Sequence, residues 1–118
     1  MIDNGIGDKQ DEKFFGHYYL HGSDTLDKSL AKHGFNKNDI TDVILTHLHF
    51  DHCGGAITRN ANGHCEPAFK NAIYWSNAKH WEWATKPNAR EKASFLKENI
   101  FISSIEKLNY IILLIMYK

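Results

Sequence analysis

The six residues His47-Leu48-His49-Phe50-Asp51-His52 place three imidazoles and a carboxylate in one short segment. The segment follows the apolar run Val43-Ile44-Leu45 and precedes Gly54-Gly55, which lets the backbone turn tightly. Imidazole nitrogen and carboxylate oxygen suit zinc and its neighbours among the divalent metals. The segment therefore indicates a metal site, and the competing interpretation is a solvated His-rich loop without metal. The candidate ligands are His47, His49, Asp51 and His52.

The spacing of these side chains suits a centre with two metals. His47 and His49 are two residues apart, so in extended backbone they share a face while Leu48 points into the core. Asp51 and His52 fall on the turn that follows and can be directed at a second metal. Two metals about 3.5–4 Å apart can share a bridging water, and zinc lowers the pKa of bound water to about 7. Such a site suits attack on a carbonyl or phosphoryl centre.

Size and composition restrict the class of protein. A chain of 118 residues, 42% hydrophobic and 24% charged, is one globular domain at most. The net charge is zero and the basic residues do not cluster, which disfavours nucleic acid and membrane surfaces as partners. No secretory signal precedes Cys53 and Cys65, so we expect free thiols and a cytoplasmic location.

The first part of the chain predicts a loop and one helix. Residues 8–22 are expected to form a loop that carries four aromatic side chains. Residues 24–33 are expected to form a helix, because two leucines lie four apart on one face and Gly34 follows as the left-handed cap. Ser23 or Asp24 is the expected N-cap. A short turn is expected at 36–40.

Strands are predicted on both sides of the motif. Residues 42–46 and 72–75 are apolar runs that suit strands covered on both faces. Asn62-Gly63 predicts a hairpin between residues 56–60 and 65–69. Together with the helices, this order predicts an α/β (α+β layered) domain.

The last third of the chain predicts two helices and a strand. Ser76 is the expected cap of a helix to about residue 84, which carries Trp81 and Trp83. Residues 89–99 are expected to be helical, and residues 110–116 to form a strand. The apolar stretch is much shorter than the roughly 20 residues that span a bilayer.

The motif and its surroundings resemble one known family. His47-Leu48-His49-Phe50-Asp51-His52 resembles the His-x-His-x-Asp-His signature of the metallo-β-lactamase superfamily. Asp3-Asn4-Gly5 resembles the Asp-x-Gly turn of that family, and the helix and strand before the motif follow the same order. Gly54-Gly55 and the helix with Trp81-Glu82-Trp83-Ala84 are most similar to the lactonase and organophosphate-hydrolase-like branch.

The resemblance implies a fold and a division of roles. It implies about one half of an αββα sandwich in residues 1–100, followed by an atypical apolar tail in residues 101–118. His47 and His49 would bind one metal, and Asp51 and His52 a second. Asp51 would also handle a proton during turnover. A complete site in the family holds two zinc ions, although iron and manganese tolerate such ligands.

The implied function is a metal-dependent hydrolase. Metal-activated water would attack an ester, a lactone or a related bond of a small molecule. Beyond the motif the chain has no further aspartate, and the remaining histidines are His64 and His80. We therefore expect an N-terminal-half fragment with a truncated or frameshifted end, weak metal binding and self-association through exposed apolar strands. The alternative is an inactive truncated remnant of such an enzyme.

Three smaller interpretations stay open. His64 with Cys65, together with His52 and Cys53, could form a structural zinc site. The aromatic residues 14–19 either cap an apolar substrate or pack against a missing half. His80 is expected to be a helix-surface histidine that packs on tryptophan.

Overall fold

The computed structural model describes residues 1–100 and the backbone of residues 110–112. That part of the chain contains both helices and strands, with a parallel sheet, which confirms the α/β class. The α-helices are α1 (Glu12–Gly16), α2 (Leu26–Lys32), α3 (Phe50–Cys53), α4 (Ala78–Thr85) and α5 (Lys97–Ile100). The strands are β1 (Asp42–Ile44), β2 (Ile57–Arg59), β3 (Cys65–Pro67), β4 (Ile73–Ser76) and β5 (Tyr110–Ile112). Single 3-10 turns lie at Lys37–Asp39, Gly54–Ala56 and Lys92–Ser94.

A parallel sheet organises the molecule. β4 lies between β1 and β5 and is parallel to both, with Val43 opposite Tyr74. On the other side of β1, Ile2 makes an isolated parallel bridge to Ile44. The carboxyl ends of parallel segments meet at one edge of the sheet, where α/β proteins tend to place their sites. The residues that follow Ile2, β1 and β4 therefore gather at the same edge.

The predicted hairpin is present between β1 and β4. β2 and β3 pair antiparallel, with Ile57 opposite Pro67. Gly63 lies in the turn at φ +78°, a backbone conformation that favours glycine. The hairpin supplies the crossover that parallel strands require, since β1 and β4 cannot be joined by a tight turn.

The core lies on one side of β1. Val43 and Leu45 are buried, as are Ile57 and Phe69 from the hairpin region. Ile44, which points to the other face, is 45% exposed. The prediction that β1 is covered on both faces is therefore wrong for the described residues. The apolar run Val43-Ile44-Leu45 behaves as the alternating pattern of a half-buried strand.

The helices α2 and α4 confirm two predictions, but each begins after a different cap. The Thr25 hydroxyl accepts a hydrogen bond from the Lys28 N–H at 3.2 Å, so Thr25 is the N-cap of α2 instead of Ser23 or Asp24. The Asn77 side chain likewise caps α4 by accepting from the Lys79 N–H at 2.8 Å, one residue beyond the predicted Ser76. The short turn at 36–40 is confirmed as a 3-10 turn.

Two segments differ from their predictions. The predicted loop at 8–22 contains α1, which Asp11 caps by accepting from the Phe14 N–H at 2.8 Å. The predicted helix at 89–99 is a 3-10 turn and the short α5, separated by Phe95 and Leu96. Phe95 has φ −108° and ψ 103°, which is extended backbone, and its side chain is buried. Burial of this aromatic ring interrupts the helix that local propensity favours.

The C-terminal tail is described only at β5. Tyr110–Ile112 forms part of the strand predicted at 110–116, and the rest of that strand lies outside the described residues. The boundary proposed at residue 100 also falls where the description stops. Among the described residues, no helix has both the length and the apolar character needed to cross a bilayer.

Gly54-Gly55 serves a different purpose from the one predicted. Gly54 has an ordinary φ of −60°, so its backbone does not require glycine. A Cβ at position 54 would overlap the carbonyl of Ile6, and a Cβ at position 55 would overlap the carbonyl of Asn4. The Gly55 N–H donates to the Gly5 carbonyl at 3.0 Å. The glycine pair therefore allows the N-terminal loop to lie directly against the motif.

Lys9 stabilises the same contact between the N-terminal loop and the glycine pair. Its side chain is 6% exposed, and its ammonium group donates to the Gly54 carbonyl. Burial lowers the pKa of Lys9 from its ordinary value. Arg59 Nε donates to the Lys9 carbonyl at 3.1 Å, which joins the N-terminal loop to β2 as well.

The close approach at Gly54 predicts the effect of adding one methyl group. Gly54→Ala should lower the free energy of unfolding by about 1–3 kcal/mol, since the new Cβ displaces the Ile6 backbone. Urea denaturation followed by circular dichroism measures this change. Gly16→Ala is the matched control, because a Cβ at the end of α1 meets nothing within 4 Å. Equal stability of the two variants would contradict the packing described here.

Candidate metal centre

The motif follows the end of β1 and therefore lies at the edge of the sheet. The Leu45 N–H donates to the Trp75 carbonyl at 2.9 Å, which continues the pairing with β4 by one residue. Leu45 and Leu48 are both buried and anchor the segment on either side of His47. As predicted from the spacing, Leu48 points into the core while His47 is only partly buried.

The second half of the motif is helical. His49 is the N-cap of α3, and its carbonyl accepts hydrogen bonds from the N–H groups of His52 and Cys53 at 3.0 and 3.1 Å. Asp51 and His52, predicted on a turn, lie on this single helical turn. This turn brings the ring centroid of His52 to 3.8 Å from that of His47.

Three of the four predicted ligands converge. The ligand atoms of His47, Asp51 and His52 all lie within 4.8 Å of one another. His49 lies beside this group, with its ring centroid 4.7 Å from that of His47 and 4.9 Å from that of Phe95. Nitrogen and oxygen donors at this separation fit a divalent metal, because each can reach a common point by a small side-chain movement.

Asp3 holds His52 in place. Its carboxylate accepts from Thr46 N–H at 2.8 Å and from the Thr46 hydroxyl at 2.7 Å, and Oδ2 lies 2.8 Å from His52 Nδ1. Burial raises the pKa of Asp3. The hydrogen bonds from His52 and Thr46 together lower it by more than burial raises it, so the net shift is downward. Asp3 is therefore ionised, and its bond to Nδ1 leaves His52 Nε2 to face a metal.

This role of Asp3 was missed in the sequence, where Asp3 was assigned only to a turn. The sequence signal that points to this role is the order of residues at the edge of the sheet. Asp3 follows the bridging residue Ile2 just as Thr46 follows β1, so parallel pairing with Ile44 brings the two side by side.

His47 is held in the neutral form that metals bind. Burial lowers the pKa of His47, and the neighbouring imidazoles of His52 and His49 lower it further when they carry charge. A neutral imidazole keeps a lone pair on one ring nitrogen, which is the form required of a ligand.

The alternative zinc site with cysteines is disfavoured. The Cys53 thiol is buried and donates to the Leu48 carbonyl at 3.3 Å. Burial raises the pKa of Cys53 to about 12, so the thiolate that zinc requires does not form at neutral pH. The residues that the structure describes bring neither Cys65 nor His64 into a group of potential metal ligands.

An aromatic cluster stands beside the motif. We use this name for Phe14, Phe15, Tyr18 and Phe50. The ring centroid of Phe50 lies 5.3 Å from that of Phe14 and 5.1 Å from that of Tyr18. Because Phe50 is part of the motif, α1 and Tyr18 pack against the motif itself.

Comparison with protein families agrees with this geometry. A family model described as Metallo-beta-lactamase superfamily matches residues 1–58, which include Asp3 and the whole motif. Residues 1–58 belong to the metallo-beta-lactamase superfamily. A comparison with curated proteins gave no match.

Solved structures show the fold. A probable metal-dependent hydrolase from Staphylococcus aureus superposes with a TM-score of 0.73 at 32% identity, over 83% of this chain and 34% of that one. AidC, a dizinc quorum-quenching lactonase, gives 0.54 at 26% identity, over 88% and 33% of the two chains. An N-acyl homoserine lactone hydrolase gives 0.60 at 26% identity, over 99% and 43%. The chain thus has part of the superfamily fold and spans less than half the length of these structures.

The hydrogen bonds of Asp3 predict an acid-sensitive contribution to stability. Asp3→Asn should lower the free energy of unfolding at pH 7 by about 1–3 kcal/mol, because the bonds from Thr46 and His52 lose their charged acceptor. The native pKa of Asp3 lies below its ordinary 3.8. Its ionised form therefore stabilises the fold above pH 3.8, and this is lost as the pH falls through the native pKa.

Urea denaturation at several pH values tests this expectation. The difference between Asp3→Asn and the unaltered chain should shrink as the pH is lowered below 3.8. Asp24→Asn is the control, since the Asp24 carboxylate makes no hydrogen bond or ion pair within residues 1–100. A difference that is independent of pH would contradict an ionised Asp3.

Proposed function

We propose that this chain carries the metal-binding segment of a metal-dependent hydrolase. His47, His49, Asp51 and His52 are the proposed ligands of a zinc centre. The observation that carries the proposal is the convergence of the ligand atoms of His47, Asp51 and His52 within 4.8 Å. Membership of residues 1–58 in the metallo-beta-lactamase superfamily supports it.

The residues of the chain have separate tasks at this centre. Asp3 fixes the ring of His52 through Nδ1 and keeps Nε2 turned toward Asp51, whose Oδ2 lies 3.5 Å away. His47 stays neutral and available as a ligand. Asp51 is exposed, so it can both bind a metal and exchange a proton with solvent. When bound, a divalent metal would lower the pKa of water and polarise the bond to be cleaved.

Zinc is the proposed metal. Nitrogen ligands from histidine with one carboxylate suit zinc better than calcium or magnesium, which prefer oxygen. One of the similar structures is named a dizinc lactonase. The donor set also tolerates iron and manganese, which metal analysis of the purified chain distinguishes.

A lactone, an ester or a related small molecule is the proposed substrate. Two of the similar structures are a quorum-quenching lactonase and an N-acyl homoserine lactone hydrolase, each at 26% identity. The aromatic cluster offers an apolar surface next to Phe50 of the motif. Such a surface suits the hydrocarbon part of a substrate whose polar bond lies at the metals.

Zinc binding tests the centre itself. The full chain should bind Zn²⁺ in isothermal titration calorimetry, and His47→Ala or His52→Ala should weaken the binding by at least about tenfold, as expected when a metal loses a ligand. His64→Ala is the control, because His64 is exposed and lies in the hairpin. Unchanged zinc affinity in both motif variants would show that the metal binds elsewhere.

Turnover tests the reaction. The zinc-loaded chain is assayed against N-hexanoyl homoserine lactone by the acid released on ring opening. Asp51→Asn should reduce the rate by at least about 100-fold, if Asp51 handles a proton as well as binding metal. Zinc binding without any turnover of lactones or esters would contradict the hydrolase and favour a remnant that only binds metal.

A further inference from the structure

The hydroxyl group of Thr46 lies between a carboxylate and a ring nitrogen of the motif. Thr46 comes directly before His47 and directly after the buried Leu45. Its Oγ1 lies 2.7 Å from Asp3 Oδ2 and 3.2 Å from His47 Nδ1. The sequence did not indicate a role for this threonine, because its partner Asp3 is 43 residues away.

The proton of this hydroxyl is directed at Asp3. An ionised carboxylate only accepts hydrogen bonds, so two oxygen atoms 2.7 Å apart require the hydroxyl proton between them. The lone pairs of Oγ1 are then left to face His47. The contact of 3.2 Å with Nδ1 is a hydrogen bond only when Nδ1 carries a proton and donates it. These contacts therefore assign the proton of neutral His47 to Nδ1.

A second bond to the same carboxylate fixes the position of the hydroxyl. The Thr46 N–H donates to Asp3 Oδ1 at 2.8 Å, so Asp3 binds both the backbone and the side chain of Thr46. A hydroxyl that donates to a charged acceptor is polarised, which makes its oxygen a better acceptor. Thr46 is exposed, so water competes for His47 Nδ1 and the hydroxyl shifts a balance between two tautomers.

The favoured proton position is the opposite of that in free histidine. In water the neutral imidazole carries its proton mainly on Nε2. In His47, Nδ1 faces Thr46, and Nε2 has no hydrogen-bond partner within residues 1–100. A proton on Nδ1 leaves the lone pair on Nε2, which is the nitrogen that remains available to a metal.

The same carboxylate acts on His52 without an intermediary. Oδ2 of Asp3 accepts from His52 Nδ1 at 2.8 Å, so the lone pair of His52 is on Nε2. That nitrogen lies 3.5 Å from Asp51 Oδ2. Asp3 thus sets the proton of His52 directly and that of His47 through the hydroxyl of Thr46. Both rings belong to the group of converging ligand atoms.

We propose that Thr46 is a positioning residue that fixes the tautomer of His47 and thereby presents its Nε2 to the metal. The inference rests on the proposed function for the metal, whereas the tautomer is a property of the metal-free chain. Thr46 is not itself a ligand, and it acts only through the ring of His47.

Nuclear magnetic resonance of the metal-free, ¹⁵N-labelled full chain tests the tautomer. At about pH 8, above the ordinary histidine pKa of about 6.5, His47 is neutral. Spectra that detect the imidazole nitrogens should then show a protonated Nδ1 and an unprotonated Nε2. This measurement on the unaltered chain does not depend on whether a variant folds.

Three variants separate the hydroxyl from the rest of the side chain. Thr46→Val keeps the shape without the hydroxyl, and it should move the proton of His47 toward Nε2. Thr46→Ser keeps the hydroxyl and should retain the tautomer of the unaltered chain. Thr41→Val is the matched control, because the Thr41 hydroxyl also donates to a carboxylate, Asp42 Oδ2 at 2.8 Å, but lies at the other end of β1.

Zinc binding supplies the functional test. Thr46→Val should weaken Zn²⁺ binding by about tenfold in calorimetry, the lower end of the usual loss when a group that orients a ligand is removed. Thr46→Ser and Thr41→Val should bind zinc as the unaltered chain does.

The outcomes distinguish this inference from the proposed function. A proton on Nε2 of His47 in the unaltered chain overturns the inference, and so does a tautomer that stays the same in Thr46→Val. Zinc affinity that is unchanged in Thr46→Val, despite an altered tautomer, also overturns it. If the unaltered chain binds no zinc, the proposed metal centre is wrong, while the spectra of the metal-free chain still decide whether Thr46 fixes His47.

Discussion

Parallel pairing of β1 with β4, continued on the other side by the bridge from Ile2 to Ile44, is the constraint on which the site depends. Three segments distant in sequence end at one edge of the sheet because they run in the same direction. Asp3 and His47 each follow one of these segments, and both side chains lie beside His52. A fold with antiparallel pairing would send at least one of them to the opposite edge.

Electrostatics at this edge favour a bound cation. Three imidazoles lie close together at this edge. Burial lowers the pKa of His47, and the neighbouring imidazoles of His52 and His49 lower it further. The ionised carboxylate of Asp3 supplies negative charge beside them, and the carboxylate of Asp51 lies 3.5 Å from His52 Nε2. The arrangement therefore disfavours protons on His47 while keeping lone pairs and negative charge directed at a small space. A divalent metal satisfies both conditions at once.

Local signals in the sequence predicted those parts of the fold that local chemistry decides. The leucine spacing of α2, the turn residues of the hairpin and the apolar run of β1 each act over a few residues, and all three elements are present. The N-caps were displaced by one or two residues, because Thr25 and Asn77 compete with neighbours of similar capping strength. The split of the helix at 89–99 depends on burial of Phe95, which no local pattern reveals.

The residues of the site also fall into those that local sequence predicted and those that long-range contacts place. His47, His49, Asp51 and His52 were predicted because they are adjacent in sequence, and the structure brings three of them together. Asp3 was not assigned to it, because its contact with His52 exists only once Ile2 has paired with β1. Strand order and register are long-range properties that local patterns in a sequence do not reveal.

The contact of Gly54 and Gly55 with Asn4 and Ile6 has a consequence for protein engineering. The metal-binding hexapeptide cannot be transplanted alone onto another scaffold, because the glycine pair that follows it packs against the backbone of Asn4 and Ile6. A graft would have to bring the first nine residues with it, from the carboxylate that orients one ring to the ammonium group that closes the loop. The smallest unit that can be grafted is therefore discontinuous. It consists of two separate segments of sequence, the first nine residues and the motif with its glycine pair.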